Sequence, residues 1–293
     1  MDSTSPQSLL SSTLQTTIEA DIERALKEDI GSGDVTAQLV PAEELATAVI
    51  ISREQAVICG IPWANAVFRH VSRDIVIDWQ VKEGDTVSAG NALCTLSGPA
   101  RALLTAERCA LNFLQTLSAT ATATRRYVDA IAGTNAHILD TRKTLPGLRL
   151  AQKYAVRVGG GLNQRIGLYD GILIKENHIA AAGSIEAVLA NARALNANVP
   201  IQIEVETLAQ LQSALNAGAK LVLLDNFDPA RLKEAVRLNT GRAILEASGG
   251  IDLSNIREIA LTGVDRISIG GLTKHIQAID LSMRFQPDSN PHA

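Results

Sequence analysis

The chain has 293 residues, a length that fits two ordinary domains or one large barrel. Hydrophobic residues make up 46% and charged residues 20%, but aromatics only 3%, so a sizeable core must be built from Ala, Leu, Ile and Val. The formal net charge of −4 lacks the basic excess of a nucleic-acid-binding domain, and no apolar run approaches the roughly 20 residues of a transmembrane helix.

The opening MDSTSPQSLLSSTLQ has neither the basic nor the apolar region of a signal peptide. Cys59, Cys94 and Cys109 are odd in number and widely spaced, which suits neither a disulfide framework nor a zinc site. The expectation is a cytoplasmic protein with buried thiols. Residues 1–17 and 286–293 are polar and read as mobile ends. Apolar positions recur at helical spacing over 18–28, and 46–58 and 75–81 read as strands. Gly84 and Gly90 punctuate 81–91 as turns. Residues 100–132 form a long Ala/Leu/Thr-rich helical stretch stopped by Gly133.

From there a rhythm sets in. Short apolar runs occur at 137–140, 171–174, 201–205, 221–224, 243–247 and 265–269, with amphipathic segments such as 207–217 between the later ones. Such alternation predicts parallel strands with right-handed helical crossovers, and without a GxGxxG loop it favours a (β/α) barrel.

Polar residues follow nearly every run: Asp140-Thr141-Arg142-Lys143, Lys175 through His178, Glu204 and Glu206, Asp225-Asn226, Ser248-Gly249-Gly250, and Gly270-Gly271. In a parallel barrel these positions converge on the C-terminal face, where active sites are built. Residues 142–175 carry seven basic side chains (Arg142, Lys143, Arg149, Lys153, Arg157, Arg165, Lys175) against one acid, Asp170. That is either a solvated basic surface or a pocket for a multiply anionic substrate, since arginine forks pair with carboxylates and phosphates. The glycine pairs suit backbone N–H contacts to a phosphate; Gly159-Gly160-Gly161 reads better as a packed loop. Glu204 and Asp225 could bind a metal, hold sugar hydroxyls or move a proton. The five histidines show no ligand spacing, and His178 reads as structural.

Long stretches of these motifs resemble quinolinate phosphoribosyltransferases: LDTRKTLPGLR (139–149), GGGLNQRIGLYDGILIKENHI (159–179), IEVE (203–206), LLDNF (223–227), EASGGI (246–251) and AERCALNFLQ (106–115). The resemblance is collinear from about residue 18 to 285. It implies an α/β fold in which an N-terminal α/β sandwich (18–118 with 272–285, rejoined by the last helix) accompanies an incomplete TIM-like (β/α) barrel (119–271). It further implies a homodimer and transfer of phosphoribose from phosphoribosyl pyrophosphate to quinolinate, with decarboxylation and Mg2+ but no prosthetic group. Neither nucleic acid nor membrane is an expected partner.

By the same resemblance, Arg142, Lys143 and Arg165 form the dicarboxylate clamp, and Arg108 enters from the other subunit. Thr141 belongs to the substrate contacts. Lys143 and Lys175 neutralise substrate charge, Glu204 and Asp225 face ribose hydroxyls and Mg2+, and Ser248-Gly249-Gly250 with Ser268-Ile269-Gly270-Gly271 hold the 5′-phosphate. One departure stands out: many relatives carry His before the clamp arginine, where this chain has Gln164, which cannot be cationic. The expectation is modestly altered quinolinate affinity. Three other readings remain open. They are a related phosphoribosyltransferase with another substrate, a Schiff-base aldolase using Lys175, and a carrier domain suggested by VKEGDTVSAG (81–90).

Overall fold

A computed structural model of the chain describes residues 12–286. The order along the chain begins with α1 (Ser12–Ile30), β1 (Leu45–Ser52), β2 (Ala56–Val57), α2 (Ile61–Val71), β3 (Val76–Trp79), β4 (Thr86–Val87), β5 (Ala92–Pro99) and α3 (Ala100–Ala130). It continues with β6 (His137–Leu139), α4 (Arg149–Val158), β7 (Ile172–Ile174), α5 (Glu176–Ala182), α6 (Ile185–Ala194), β8 (Ile201–Val205) and α7 (Leu208–Asn216). The last elements are β9 (Leu221–Asp225), α8 (Pro229–Asn239), β10 (Ile244–Ser248), α9 (Ile256–Ala260), β11 (Arg266–Ser268), α10 (Gly271–Lys274) and β12 (Leu281–Phe285).

Two compact units divide the chain, one holding residues up to Ala123 with 145–159 and the chain from His275, the other 124–144 with 160–274. Residues 145–159, expected in the barrel, cluster with the first unit: Ala151, Tyr154 and Ala155 of α4 bury in its core beside Trp63, and the Trp63 and Tyr154 rings lie 5.4 Å apart.

In the first unit a four-stranded antiparallel sheet runs in the order β12-β1-β5-β3. The last element among the described residues is therefore a strand rather than the expected helix, hydrogen-bonded to β1 along its length. The helix α1 reaches back to Ser12 because the buried residues Leu14, Ile18, Ile22 and Leu26 repeat every four residues, so 12–17 belong to it. Gln286 is tied in as well, its N–H donating to Thr47 O. Residues 1–11 and 287–293 of the expected mobile ends lie outside the described residues. The segment 81–90 contributes β4, which pairs antiparallel with β2.

All three cysteines are free and buried. Cys109 packs on α1, its Sγ 3.5 Å from Ala25 O, and burial pushes its thiol up to about 11. Glu83 is an acid of the first unit with a buried carboxyl group. One carboxylate oxygen accepts the Gly60 and Ile61 N–H groups at the start of α2, at 2.8 and 2.6 Å. Burial raises the Glu83 pKa to about 7, with the Ile61 amide, Cys59, the Gly60 amide and Tyr154 pulling against it. A carboxyl whose folded pKa lies above its ordinary value stabilises the fold fully only below that ordinary value, and loses the contribution as pH rises toward the folded one. Between pH 4.5 and 7, Glu83 is therefore expected to withdraw about 3 kcal/mol of stability. Glu83→Gln, which can still accept both amides, should abolish that part of the slope in denaturation curves taken at pH 5 and 7.5. An unchanged slope would refute the assignment.

The second unit is the barrel. Its six parallel strands run in the order β6-β11-β10-β9-β8-β7. Of the edge strands β6 and β7, β6 is met by Leu162, which donates to Ile138 O and accepts from Asp140 N. The barrel is thus incomplete, as expected. Core side chains alternate along its strands: Ile203 and Val205, Val222 and Leu224, and Leu245 and Ala247 join the aliphatic cluster. The residues between them leave the opposite face. The helices start on strong caps, with Thr207 and Gln210 forming a reciprocal box before α7 and Asp228 preceding Pro229 at α8. Among the described residues no helix is long and apolar enough to cross a membrane.

Candidate active site

Parallel strands bring their C-terminal ends to one rim, and the register decides which ends are neighbours. Ile174 of β7 pairs with Ile203 of β8, so the next residues, Lys175 and Glu204, come together. Lys175 Nζ donates to both Glu204 oxygens, at 3.0 and 2.7 Å. A lysine held in a two-oxygen salt bridge sits in the opposite of the apolar setting that frees an amine for Schiff-base chemistry. Asp225 ends β9 beside Ser248 of β10. Burial first, and then the Glu204 charge, push the Asp225 pKa up; Lys175 opposes this, Glu206 adds to it, and Lys143 opposes it again. Three carboxylates and two lysines therefore share one electrostatic neighbourhood.

Leu139 of β6 pairs with Ser268 of β11, which sets Thr141 and Lys143 beside Gly270. A Cβ at Gly270 would come 2.9 Å from Lys143 Cδ, so the absent side chain is the space through which Lys143 passes. The Lys143 backbone is fixed on both sides: its N–H donates to Thr141 Oγ1 at 3.0 Å and its carbonyl accepts from the buried Thr273 hydroxyl at 2.7 Å.

Arg165 is half-buried and donates through Nη1 to Gly171 O at 2.9 Å. Its pKa is lowered by burial and then by the neighbouring Arg142 guanidinium, with Asp170 opposing. Two guanidiniums close enough to repel form a site that gains by taking up an anion. Asp170 meanwhile accepts the Ile166 and Gly167 amides, at 2.7 and 2.8 Å, and folds the loop that carries Arg165.

The basic run of the sequence is thus split. Arg142, Lys143, Arg165 and Lys175 lie in the barrel unit, while Arg149, Lys153 and Arg157 belong to α4 of the other. Arg108 lies on α3 in the first unit, its side chain 60% exposed and 4.0 Å from Glu107. His178 accepts the Lys175 N–H through Nδ1 at 3.0 Å, a structural role. Ile269 is a correction: its N–H donates to Leu139 O at 2.9 Å and its side chain is core, which leaves no amide for a phosphate. Ser268 is buried beside Glu246. The helices that follow the glycine pairs have only five and four residues, so any phosphate grip there rests on individual N–H groups rather than on a long helix dipole.

Sequence reasoning placed Asn226 among the polar strand ends but gave it no role of its own. It adopts φ +56, donates through Nδ2 to Asp225 Oδ2 at 2.8 Å, and its N–H donates to Ser248 O at 2.9 Å. A short amide side chain directly after a strand-end acid was the available signal, since Asn tolerates the left-handed region. Gly249 at φ +98 lies against it, and a Cβ there would collide with the Asn226 amide. Gly249→Ala is expected to cost about 1–3 kcal/mol of stability and to lower turnover by dislodging Asn226 from Asp225. Thermal unfolding alongside kcat checks both.

A (β/α) barrel whose strand ends carry two lysines, two facing acids and a pair of clustered arginines defines a class of enzymes acting on multiply anionic substrates. The chain belongs to the quinolinate phosphoribosyl transferase family, since the model of that family's C-terminal domain matches residues 120–284 and that of its N-terminal domain residues 34–118. It is 44% identical over 269 residues to the nicotinate-nucleotide pyrophosphorylase [carboxylating] of Mycobacterium leprae (strain TN), covering 89% of this chain and 95% of that one. A probable enzyme of the same name from Bacillus subtilis (strain 168) is 42% identical over 257 residues, covering 87% and 89%. Among solved structures, the nicotinate-nucleotide pyrophosphorylase from Francisella tularensis superimposes with a TM-score of 0.91 at 46% identity, covering 93% of this chain and 97% of that one.

Proposed function

We propose that the chain transfers phosphoribose from phosphoribosyl pyrophosphate to quinolinate with loss of CO2, giving nicotinate mononucleotide and pyrophosphate, a step of NAD biosynthesis. The observation that carries this reading is the pairing of two mutually repelling arginines, Arg142 and Arg165, with the Lys143–Lys175–Glu204–Asp225 group in one unit. A pyridine dicarboxylate needs two cationic forks, and a departing pyrophosphate needs further positive charge.

In this reading, the electron pair of the ribose C1–O bond leaves with pyrophosphate, and C1 becomes cationic before the pyridine nitrogen lone pair closes on it. Glu204 and Asp225 stabilise that cation and orient the ribose hydroxyls. Lys143 and Lys175 take substrate negative charge. The ring nitrogen becomes a pyridinium, whose positive charge stabilises the electron pair left on C2 when the C2–carboxylate bond breaks and CO2 departs, and a proton from solvent then closes on C2. No step asks for a histidine or cysteine base.

Among the described residues no three His, Cys, Asp or Glu side chains converge. Glu204 and Asp225 alone suit Mg2+, which uses one or two carboxylates and keeps its remaining positions for water and phosphate. Bound there, the ion would supply charge neutralisation for pyrophosphate. A homodimer in which the exposed Arg108 completes the partner's clamp, and a cytoplasmic location consistent with three free thiols, belong to the same proposal.

Mass spectrometry of products from phosphoribosyl pyrophosphate, Mg2+ and either quinolinate or nicotinate tests the proposal. Nicotinate mononucleotide from quinolinate alone is expected. Product from nicotinate alone would keep the phosphoribosyl chemistry and overturn the dicarboxylate assignment.

A further inference from the structure

One pleat beneath the charged rim lies a second, buried polar layer. Gln202 and Glu204 are two residues apart on β8, so their side chains leave the same face, and Glu246 and Ser248 stand in the same relation on β10. Gln202 and Glu246 are only 7% and 1% exposed. Burial raises the pKa of Glu246, with Gln202, Ser268 and Arg266 pulling against it and Asp140 adding to the rise. A buried acid and a buried amide are expensive to keep unless they are hydrogen-bonded.

Their hydrogen bonds form a chain with a direction. Gln202 Nε2 donates to Glu246 Oε2 at 2.9 Å, and Gln164 Nε2 donates to Gln202 Oε1 at 2.7 Å. With Glu246 as the acceptor, Gln202 must turn its NH2 toward it and its carbonyl away. That carbonyl can only accept, so Gln164 must turn its own NH2 inward. Gln164 is also held through its main chain, whose N–H donates to Asp140 Oδ1 at 2.8 Å, while Asn163 Nδ2 donates to Asp140 Oδ2 at 2.6 Å. The next residue is Arg165.

The geometry points to Gln202 and Glu246 as positioning residues for quinolinate recognition: without touching substrate, they lock the Gln164 amide in one orientation and fix the stretch of chain from which Arg165 reaches the dicarboxylate. The inference rests on the substrate proposed above. It also gives Gln164 a role that a cationic histidine would not share, as the outer end of an amide chain.

The test uses the full-length protein and compares KM for quinolinate, KM for phosphoribosyl pyrophosphate, kcat and thermal midpoint. Gln202→Met is expected to raise KM for quinolinate roughly tenfold while KM for phosphoribosyl pyrophosphate and kcat stay within about twofold, the mark of misplaced binding groups rather than lost chemistry. Glu246→Gln preserves shape and folding but can present either end to Gln202; it should give a smaller rise in the same constant alone. Gln164→Leu should match Gln202→Met, and the double variant should be no worse than either, because the residues act as one unit. Multiplying effects in the double variant, equal shifts in both KM values, or a lowered thermal midpoint with no change in KM would each overturn the relay. Wild-type protein that forms no product from quinolinate overturns both this inference and the proposed function, whereas normal wild-type turnover with unmoved KM values sinks the relay alone.

Discussion

Arg165→Gln is expected to lower kcat/KM for quinolinate by roughly 10²–10³-fold while leaving KM for phosphoribosyl pyrophosphate nearly unchanged, because removing one partner of a desolvated charge pair costs about 3–4 kcal/mol. The Arg142 guanidinium already weighs on Arg165, an unfavourable term that a bound carboxylate relieves. Truncation leaves one substrate carboxylate facing a neutral amide in a half-buried site. Arg165→Lys should recover only part of the loss, since a point charge cannot reproduce a two-pronged contact and its ammonium cannot both hold Gly171 O and fork to substrate. In binding of nicotinate, which lacks the second carboxylate, the variant and the wild type should differ far less. Dissociation constants of the two acids, measured in parallel, decide the matter, and equal losses on both would show that Arg165 serves the phosphate end instead.

The residues proposed for the clamp were legible because they sit in a local block. Each strand end of the barrel announces itself within a few residues, so Lys175, Glu204 and Asp225 could be found by reading past an apolar run. What escaped was decided by pairing between distant segments. β12 is a five-residue stretch whose strand state comes from β1, more than 200 residues earlier in the chain. Residues 145–159 lie between two barrel segments in sequence, yet α4 buries its apolar face with Trp63 of the other unit. Ile269 looked like part of a phosphate loop, but its amide is spent on Leu139, a partner that only the β6–β11 pairing reveals. Glu246 stood inside a motif that carried the family resemblance and still gave no hint of its purpose, because strand period marks it as inward-facing without saying that Gln202 waits two strands away.

Loss of either rim acid should strike chemistry rather than binding. Glu204→Gln and Asp225→Asn are each expected to reduce kcat by roughly 10²–10³-fold with quinolinate KM little altered, the usual cost of removing one preorganised electrostatic contact to charge that develops only in the transition state. Their double variant should lose less than the product of the two, since both face one cation. The pH dependence carries a sign that separates this role from a purely structural one. Asp225 must be ionised to stabilise positive charge, and its pKa is raised, chiefly by burial and then by Glu204. Activity should therefore fall as pH drops through a limb lying above the ordinary aspartate value of 3.8, a limb that belongs to the coupled pair. Glu204→Gln removes a neighbour that raises Asp225, so the limb of its residual activity should move to lower pH. Lys175→Met removes a neighbour that lowers it, so its limb should move to higher pH. A limb that stays put in both variants would mean that Asp225 does not titrate in the step that limits turnover.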